Sequence, residues 1–399
     1  KEFNFYAFHI PTQKNEFIAN LGKEIQERGK ISSIVHYHNS YFVGFLMDGI
    51  LLLEKQKETN HYQIQSLPIN SGVFCLKKDR FQDVVWIGTD GQGVYLYSNP
   101  LYSIKSMVLS NYTEKIERPV RAIYLDDERT FWVGTKGNGI LKIYDYEFDK
   151  NISDCRAEVL TTSNSALSSN AVYCFAKSHR NLLWIGDEEG LTYYSYREKR
   201  IKSIPIRIGN EDFKYIHDIY ETADSELWLA SVGMGVVKAR IAGTPDNPVI
   251  VDAQRYIIND GELGSNYFFT IYAENEANLL FGNKGYGVFR YNETTNGLEP
   301  VSTHKYENMT LNNILAISKD SSNNYLFGTS YGLIKYTSET SYQLFNAKNG
   351  FLNNTIHAIL RNSSDDFWLS TNLGLINFDT KRNVFRSYGF GDGLKVVEF

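Results

Sequence analysis

Gly328-Thr329-Ser330-Tyr331-Gly332 has the spacing of a nucleophile elbow, G-x-S-x-G, in which a strand-to-helix turn presents a serine for acyl transfer. That chemistry needs a helix after the turn, and here Leu333-Ile334-Lys335-Tyr336 reads on as a strand. The corresponding turns elsewhere, Thr89-Asp90-Gly91-Gln92-Gly93 and Thr135-Lys136-Gly137-Asn138-Gly139, hold no serine. Gly91-Gln92-Gly93 and Gly137-Asn138-Gly139 likewise open no helix whose N-terminus would hold a phosphate. The acidic pairs Asp126/Asp127, Glu188/Glu189 and Asp365/Asp366 have the composition of an acid/base couple for glycosyl transfer. They recur in polar turns, however, where they read as solvated structural residues. The eight histidines are scattered, and His36/His38 and His217/His357 lack metal-site spacing. The expectation is a non-enzymatic chain with no metal and no cofactor.

The elements that would position these residues are copies of one hairpin. Val84 to Ser98, VVWIGTDGQGVYLYS, joins two runs of β-branched and aromatic residues across a glycine-rich turn. Related stretches begin at Tyr41, Thr130, Leu182, Glu226, Leu279, Tyr325 and Asp366. Taking the small residue after the W-I step as a mark gives Gly44, Gly88, Gly134, Gly186, Ala230, Gly282, Gly328 and Ser370, spaced by 44, 46, 52, 44, 52, 46 and 42 residues. A period of about 40 to 50 residues carrying several strands is the signature of a β-propeller. Each unit reads as a first strand, a polar turn, the hairpin as second and third strands, and a weaker fourth. The fold class expected is therefore all-β: a propeller of four-stranded antiparallel blades, seven in number with eight as the alternative. Residues 1–399 read as one propeller domain, of which 1–55 form an incomplete blade or belong to a neighbouring propeller.

Composition agrees with a folded repeat domain. Apolar residues make up 42% and aromatics 14% of the 399, with 28 Tyr and 24 Phe against 8 Pro. The net charge of −5 and the lack of a dense Lys/Arg run give no footprint for nucleic acid. No apolar stretch approaches the roughly 18 residues that a spanning helix needs, and no signal-peptide pattern opens the chain, which reads as part of a longer protein. Cys75, Cys155 and Cys174 form no CxxC pair. Cys75 and Cys174 fall 13 and 12 residues before a mark, where other copies have Ala122, Asp218, Thr270, Ala316 and Ala358, so they read as small residues of an innermost strand.

Three stretches depart from the repeat. Asn15 to Arg28 spaces Phe17, Ile18, Leu21 and Ile25 as a helix would, with Gly29 as its cap, and Lys1 to Phe8 reads as an outer strand. Phe148 to Ser169 and Ile241 to Gly264 are polar, account for both 52-residue spacings, and read as inter-blade loops.

Because strand direction alternates, the turn between second and third strands and the segment before each first strand emerge on one rim. The sequence places Arg118, Arg121, Asn170, Tyr173, Tyr215, His217, Asn266, Tyr267, Tyr286, Tyr331, Asn354 and His357 there. Aromatic faces for stacking, arginines for uronate or sulfate, and amides for hydroxyls make these the candidate ligand-binding residues for an oligosaccharide.

VRAIYLDDERTFWVGTKGNGILKIY and the ending VFRSYGFGDGLKVVEF resemble the two-component regulator propeller repeats of hybrid two-component sensors from gut bacteria. The W-[IV]-G-T-x-G-x-G-[IVL] core and the DGL-type ending carry the resemblance, over seven hairpins well and the first poorly. It implies the periplasmic sensory part of an inner-membrane sensor: two propellers and a small β-sandwich, then a membrane helix, a histidine kinase, a receiver and a DNA-binding domain. It further implies oligosaccharides from glycan breakdown as ligands, an adjoining propeller and β-sandwich as partners in the same chain, a homodimer, and control of glycan-utilisation genes. A carbohydrate-active propeller enzyme and a pure interaction scaffold are the alternatives.

Overall fold

The computed structural model describes residues 3–56, 61–80, 82–98, 107, 109, 116–147, 154–258, 266–301, 312–338 and 340–394. It divides into two compact units, Lys1–Ser103 with Arg382–Arg386, and Ile104–Lys381 with Ser387–Phe399.

Every one of the eight hairpins supplies the second and third strands of an antiparallel sheet. The first unit holds blade 1 (Ile31–Tyr37, Ser40–Phe45, Ile50–Lys55, Tyr62–Ser66) and blade 2 (Val73–Lys78, Val85–Thr89, Val94–Tyr97, three strands among the described residues). In the second unit, blade 3 is Val120–Leu125, Phe131–Thr135, Ile140–Ile143 and Ala157–Leu160, and blade 4 is Val172–Lys177, Leu182–Asp187, Leu191–Ser195 and Arg200–Ser203. Blade 5 is Ile216–Glu221, Glu226–Ser231, Gly235–Thr244 and Asn247–Tyr256. Blade 6 follows with Phe268–Asn275, Asn278–Asn283, Gly287–Asn292 and Gly297–Pro300, and blade 7 with Ile314–Lys319, Tyr325–Thr329, Gly332–Ser338 and Ser341–Phe345. The strand order of blade 8 is Ile356–Arg361, Asp366–Thr371, Gly374–Asp379 and Val384–Tyr388. In the second unit the first strands of blades 3 to 8 lie side by side in chain order, which makes them the innermost strands. The protein is an all-β propeller of four-stranded antiparallel blades.

The recurrent motif has a physical basis at each letter. In blades 3, 4 and 5 its tryptophan is fully buried and the largest side chain so placed, and it reaches the blade that follows: Trp132 meets Tyr194 edge-on at 4.8 Å, and Trp228 meets Tyr291 at 4.7 Å, whereas Trp86 is exposed and Trp368 half-buried. The threonine closes the turn. Thr135 Oγ1 donates to the carbonyl of Gly139 at 2.8 Å and accepts from the Asn138 amide at 2.9 Å, and Thr329 and Thr371 bond to Gly332 and Gly374 in the same way. Gly137 and Gly139 sit at φ +124° and +78°, which favours glycine. The mark residue stands directly opposite the small residue of the first strand, as in Cys174 against Gly186 and Ala122 against Gly134. Hydrophobic clusters therefore lie between successive blades, one joining Trp132, Ile140 and Val172 to Leu183 and Ile185, the next joining Trp184 and Leu191 to Ile216 and Leu227.

Three expectations are corrected. Lys14–Asn20 is a strand paired with Asn4–His9 in a two-stranded sheet, and the helix is only Gly22–Arg28, ended by Gly29 at φ +82°, whose amide bonds to the Ile25 carbonyl. The apolar spacing around Phe17 served both periods, and an available antiparallel partner decided between them. Ile241 to Gly264 is chiefly sheet: strands Gly235–Thr244 and Asn247–Tyr256 pair from Val236↔Tyr256 out to Thr244↔Asn247. Within Phe148 to Ser169, Ala157–Leu160 is the fourth strand of blade 3. Residues 148–153, 259–264, 395–399 and 1–2 of the stretches named above lie outside the described residues.

The turn acids are structural, though not all solvated. Asp126 is buried, accepting from the Trp132 indole at 2.9 Å and the Thr130 amide at 2.7 Å, while its neighbour Asp127 is exposed and pairs with Lys177 at 2.5 Å. All three cysteines are free thiols, Cys174 buried and Cys75 exposed.

Candidate functional site

Each first strand of the eight blades carries a β-bulge at its second residue. The register skips from Val120 to Ala122, Val172 to Cys174, Ile216 to Asp218, Phe268 to Thr270, Ile314 to Ala316 and Ile356 to Ala358, and in the first unit from Ile31 to Ser33 and Val73 to Cys75. A bulged residue is left out of the ladder and its side chain is re-aimed. In the second unit these residues are Arg121, Tyr173, His217, Phe269, Leu315 and His357.

Three of them form a contiguous arc with a fourth. Tyr173 and His217 stack with centroids 4.3 Å apart and planes at 19°, and Phe269 meets the His217 ring edge-on at 5.7 Å. Arg121 is exposed, and its charge acts on both Tyr173 and His217. Burial, with Arg121 second, holds the His217 imidazole down to about 4. Burial raises the Tyr173 phenol, to which Glu188 adds and which Arg121 opposes. Behind the arc, burial pushes the Asp218 carboxyl up to about 6 even though it accepts from the amides of Ile271 at 2.7 Å and Ile219 at 2.9 Å.

These two shifts have opposite signs in the pH dependence of stability. The folded His217 resists protonation, so its contribution is whole above about 6.5 and is lost as pH falls toward 4. Asp218 resists ionisation, so its contribution grows as pH falls through 6 toward 3.8. Replacing His217 by glutamine removes the first and leaves the second, and the urea midpoint of His217→Gln should rise relative to wild type between pH 7 and pH 4.5. A difference that stays constant across that range would contradict the assignment.

The remaining rim residues occupy the joints between blades. The carbonyl of Asn170 accepts from the amides of Gly137 and Gly139, and that of Asn266 from Gly233 and Gly235, so the turn of one blade is tied to the segment leading into the next first strand. This places turn and incoming segment on one rim, as strand alternation requires. The side-chain oxygens of Asn170, Asn266 and Asn354 accept from the amides of Thr162, Ile258 and Ala347. Those amide groups therefore hold loops in place. Tyr215 is exposed at φ +55°, its amide bonded to the Glu188 carbonyl and its carbonyl to the Val232 amide. Tyr267 packs over Gly233 and lies under Lys284, whose Nζ is 5.4 Å from the ring centroid. Tyr286 and Tyr331 pack against the hydrophobic clusters of blades 5–6 and 6–7. Arg118 is exposed, its amide donating to Asn138 Oδ1, and His357 Nε2 is 2.6 Å from Asn372 Oδ1.

Sequence reading missed Phe269 and Leu315. The signal was present: Arg121, Tyr173, His217, Phe269, Leu315 and His357 all fall 13 residues before a mark, but a phenylalanine or leucine in a strand reads as core.

No protein-family model matches the chain. Translation initiation factor 6 of Saccharolobus solfataricus is 31% identical over 140 residues, 32% of this chain and 57% of that protein. Among solved structures, the extracellular domain of a hybrid two-component system from B. thetaiotaomicron is 22% identical, with a TM-score of 0.57 over 99% of this chain and 50% of its own length. A second such domain from the same organism is 18% identical, with a TM-score of 0.55 over 97% of this chain and 51% of its own. Virginiamycin B lyase from Staphylococcus aureus is 15% identical, with a TM-score of 0.51 over 68% of this chain and 84% of its own. The chain thus spans about half the length of the two extracellular domains, and what it shares with them and with the lyase is the β-propeller fold.

Proposed function

We propose that the chain is a ligand-sensing propeller of a hybrid two-component sensor, acting by binding and not by catalysis. It would sit in the periplasm as part of an inner-membrane protein and bind oligosaccharides released by glycan breakdown. Binding would be passed through an adjoining propeller and β-sandwich, in a homodimer, to a histidine kinase and response regulator that control glycan-utilisation genes. The observation that carries this reading is the arc Arg121–Tyr173–His217–Phe269: side chains freed from the ladder at one mouth of a rigid scaffold, where recognition groups are commonly placed. The likeness in fold to two extracellular domains of hybrid two-component systems, over nearly all of this chain and about half of each domain, supports it. Among the described residues no helix is long and apolar enough to cross a membrane.

The test is a thermal-shift and calorimetric screen of the purified chain against oligosaccharide pools, with chromatography of the pools afterwards. Binding without a change in the sugars, weakened at least tenfold in Tyr173→Ala, is the expected result. Turnover of the bound sugar would replace the sensor reading with an enzymatic one, and dimerisation with no sugar bound from any pool would replace it with a scaffold.

A further inference from the structure

The arc offers donors where a sugar-stacking platform would offer open faces. Tyr173 and His217 cover one another, and Phe269 stands against His217 edge-on. The two faces turned toward each other are closed to a bound ring, and at the edges of these rings stand polar groups, the phenol O–H of Tyr173 and the N–H of the imidazole. Beside them is the Arg121 guanidinium, which donates at every nitrogen and accepts at none. No carboxylate among the described residues pairs with Arg121, and its charge is the one that acts on His217. The acids nearby are placed elsewhere. Glu188 lies on the Tyr173 side beside Ser169 Oγ at 3.5 Å, Glu189 pairs with Lys214, and Asp187 is buried among Ser168 Oγ and the amides of Glu189 and Gly190.

A fixed cation beside a phenol O–H and an imidazole N–H, each able to donate, suits an acceptor-rich, negatively charged group. We propose that Arg121, Tyr173 and His217 form a subsite for an anionic substituent on a sugar ring, a uronate carboxylate or a sulfate ester. The guanidinium pairs with it while the phenol and imidazole donate to it, the charge-assisted bonding that arginine makes with oxyanions. The proposal rests on the oligosaccharide reading and narrows it to acidic glycans.

Isothermal titration of the whole chain with five probes tests it: tetragalacturonate, its fully methyl-esterified form, a chondroitin 4-sulfate disaccharide, maltotetraose, and the non-sugar tricarballylate. We expect the uronate or the sulfated sugar to bind at least tenfold more tightly than the methyl ester and maltotetraose, and whichever of the two binds identifies the substituent. Arg121→Gln should weaken that binding at least tenfold and Tyr173→Phe about threefold, while Lys177→Gln, at the far end of a first strand, leaves it unchanged. Arg121 is exposed and outside the ladder, so Arg121→Gln should keep the wild-type circular dichroism and unfolding midpoint. Neutral sugars that bind as well as acidic ones, insensitive to Arg121→Gln, would overturn the acidic subsite and leave the oligosaccharide reading standing. Arg121-dependent binding of tricarballylate with no sugar bound would overturn the oligosaccharide reading and leave an anion site. No binding in any arm would overturn both.

Discussion

Trp184→Ala is expected to lower the unfolding free energy of the second unit by about 4 kcal/mol, the range found for truncating a fully buried tryptophan. The side chain is 0% exposed and packs edge-on against Tyr193 at 5.8 Å. Its indole Nε1 donates to Glu221 Oε2 at 2.7 Å, and Glu221 belongs to the first strand of the next blade. Truncation would therefore open a cavity and also remove a donor from a carboxylate whose side chain is 1% exposed, whose Oε1 has no hydrogen-bond partner, and whose ion pair with Arg180 is a long 3.7 Å. A buried charge that loses a partner carries its desolvation cost uncompensated. Trp184→Phe separates the two contributions, since it retains most of the packing and loses the donor; about half the alanine effect should remain. Urea unfolding followed by far-ultraviolet circular dichroism measures both. An alanine variant within 1 kcal/mol of wild type would show that the blades do not depend on this contact.

Gly186→Ala should cost about 3 kcal/mol through overpacking, with no change in polarity or charge. A Cβ on Gly186 would lie 2.5 Å from Cys174 Sγ and 2.8 Å from the carbonyl oxygen of Ile216. The sulfur can turn away, but the carbonyl belongs to the innermost strand of the next blade, so blades 4 and 5 would have to separate. The double variant Cys174→Ala with Gly186→Ala should recover only part of the loss, because the backbone contact remains. Blade 5 carries alanine natively at the same register, Ala230 opposite Asp218, so the exclusion is set by the neighbour and not by the strand itself. Full recovery in the double variant would place the whole clash at the sulfur.

These contacts explain which parts of the fold were legible. The W-I-G-T hairpin is readable because its letters answer local needs: Trp, in blades 3 to 5, for the gap between blades, glycine for the close approach, threonine for the turn. The long hairpin of blade 5 was not. Gly243, Pro245 and Pro248 look like loop residues, yet Pro245 lies in the turn and Pro248 on an outer strand whose free side needs no ladder donor. The helix was half legible, since Phe17 and Ile18 suit either period and only the pairing with Asn4–His9 assigns them to a strand.

Which residues line the candidate rim was legible from the sequence, and the contacts they make there only partly. The rim placement follows from strand alternation alone. That Asn170, Asn266 and Asn354 hold loops with their side-chain oxygens depends on partners seven or eight residues away, which no spacing rule marks. The bulge is invisible because the residues that occupy it, Ser32, Phe74, Arg121, Tyr173, His217, Phe269, Leu315 and His357, share no type.

That lack of a shared type follows from where these residues sit. A side chain outside the ladder owes little to the sheet that carries it, so exchange at a bulge alters what the mouth presents while the neighbouring pairs, such as Val172↔Asp187 and Cys174↔Gly186, stay as they are. Selection can act on recognition at these positions without first repairing the fold. A library randomised at Arg121, Tyr173, Phe269 and Leu315 should yield proteins that unfold at similar denaturant concentrations and differ in what they capture.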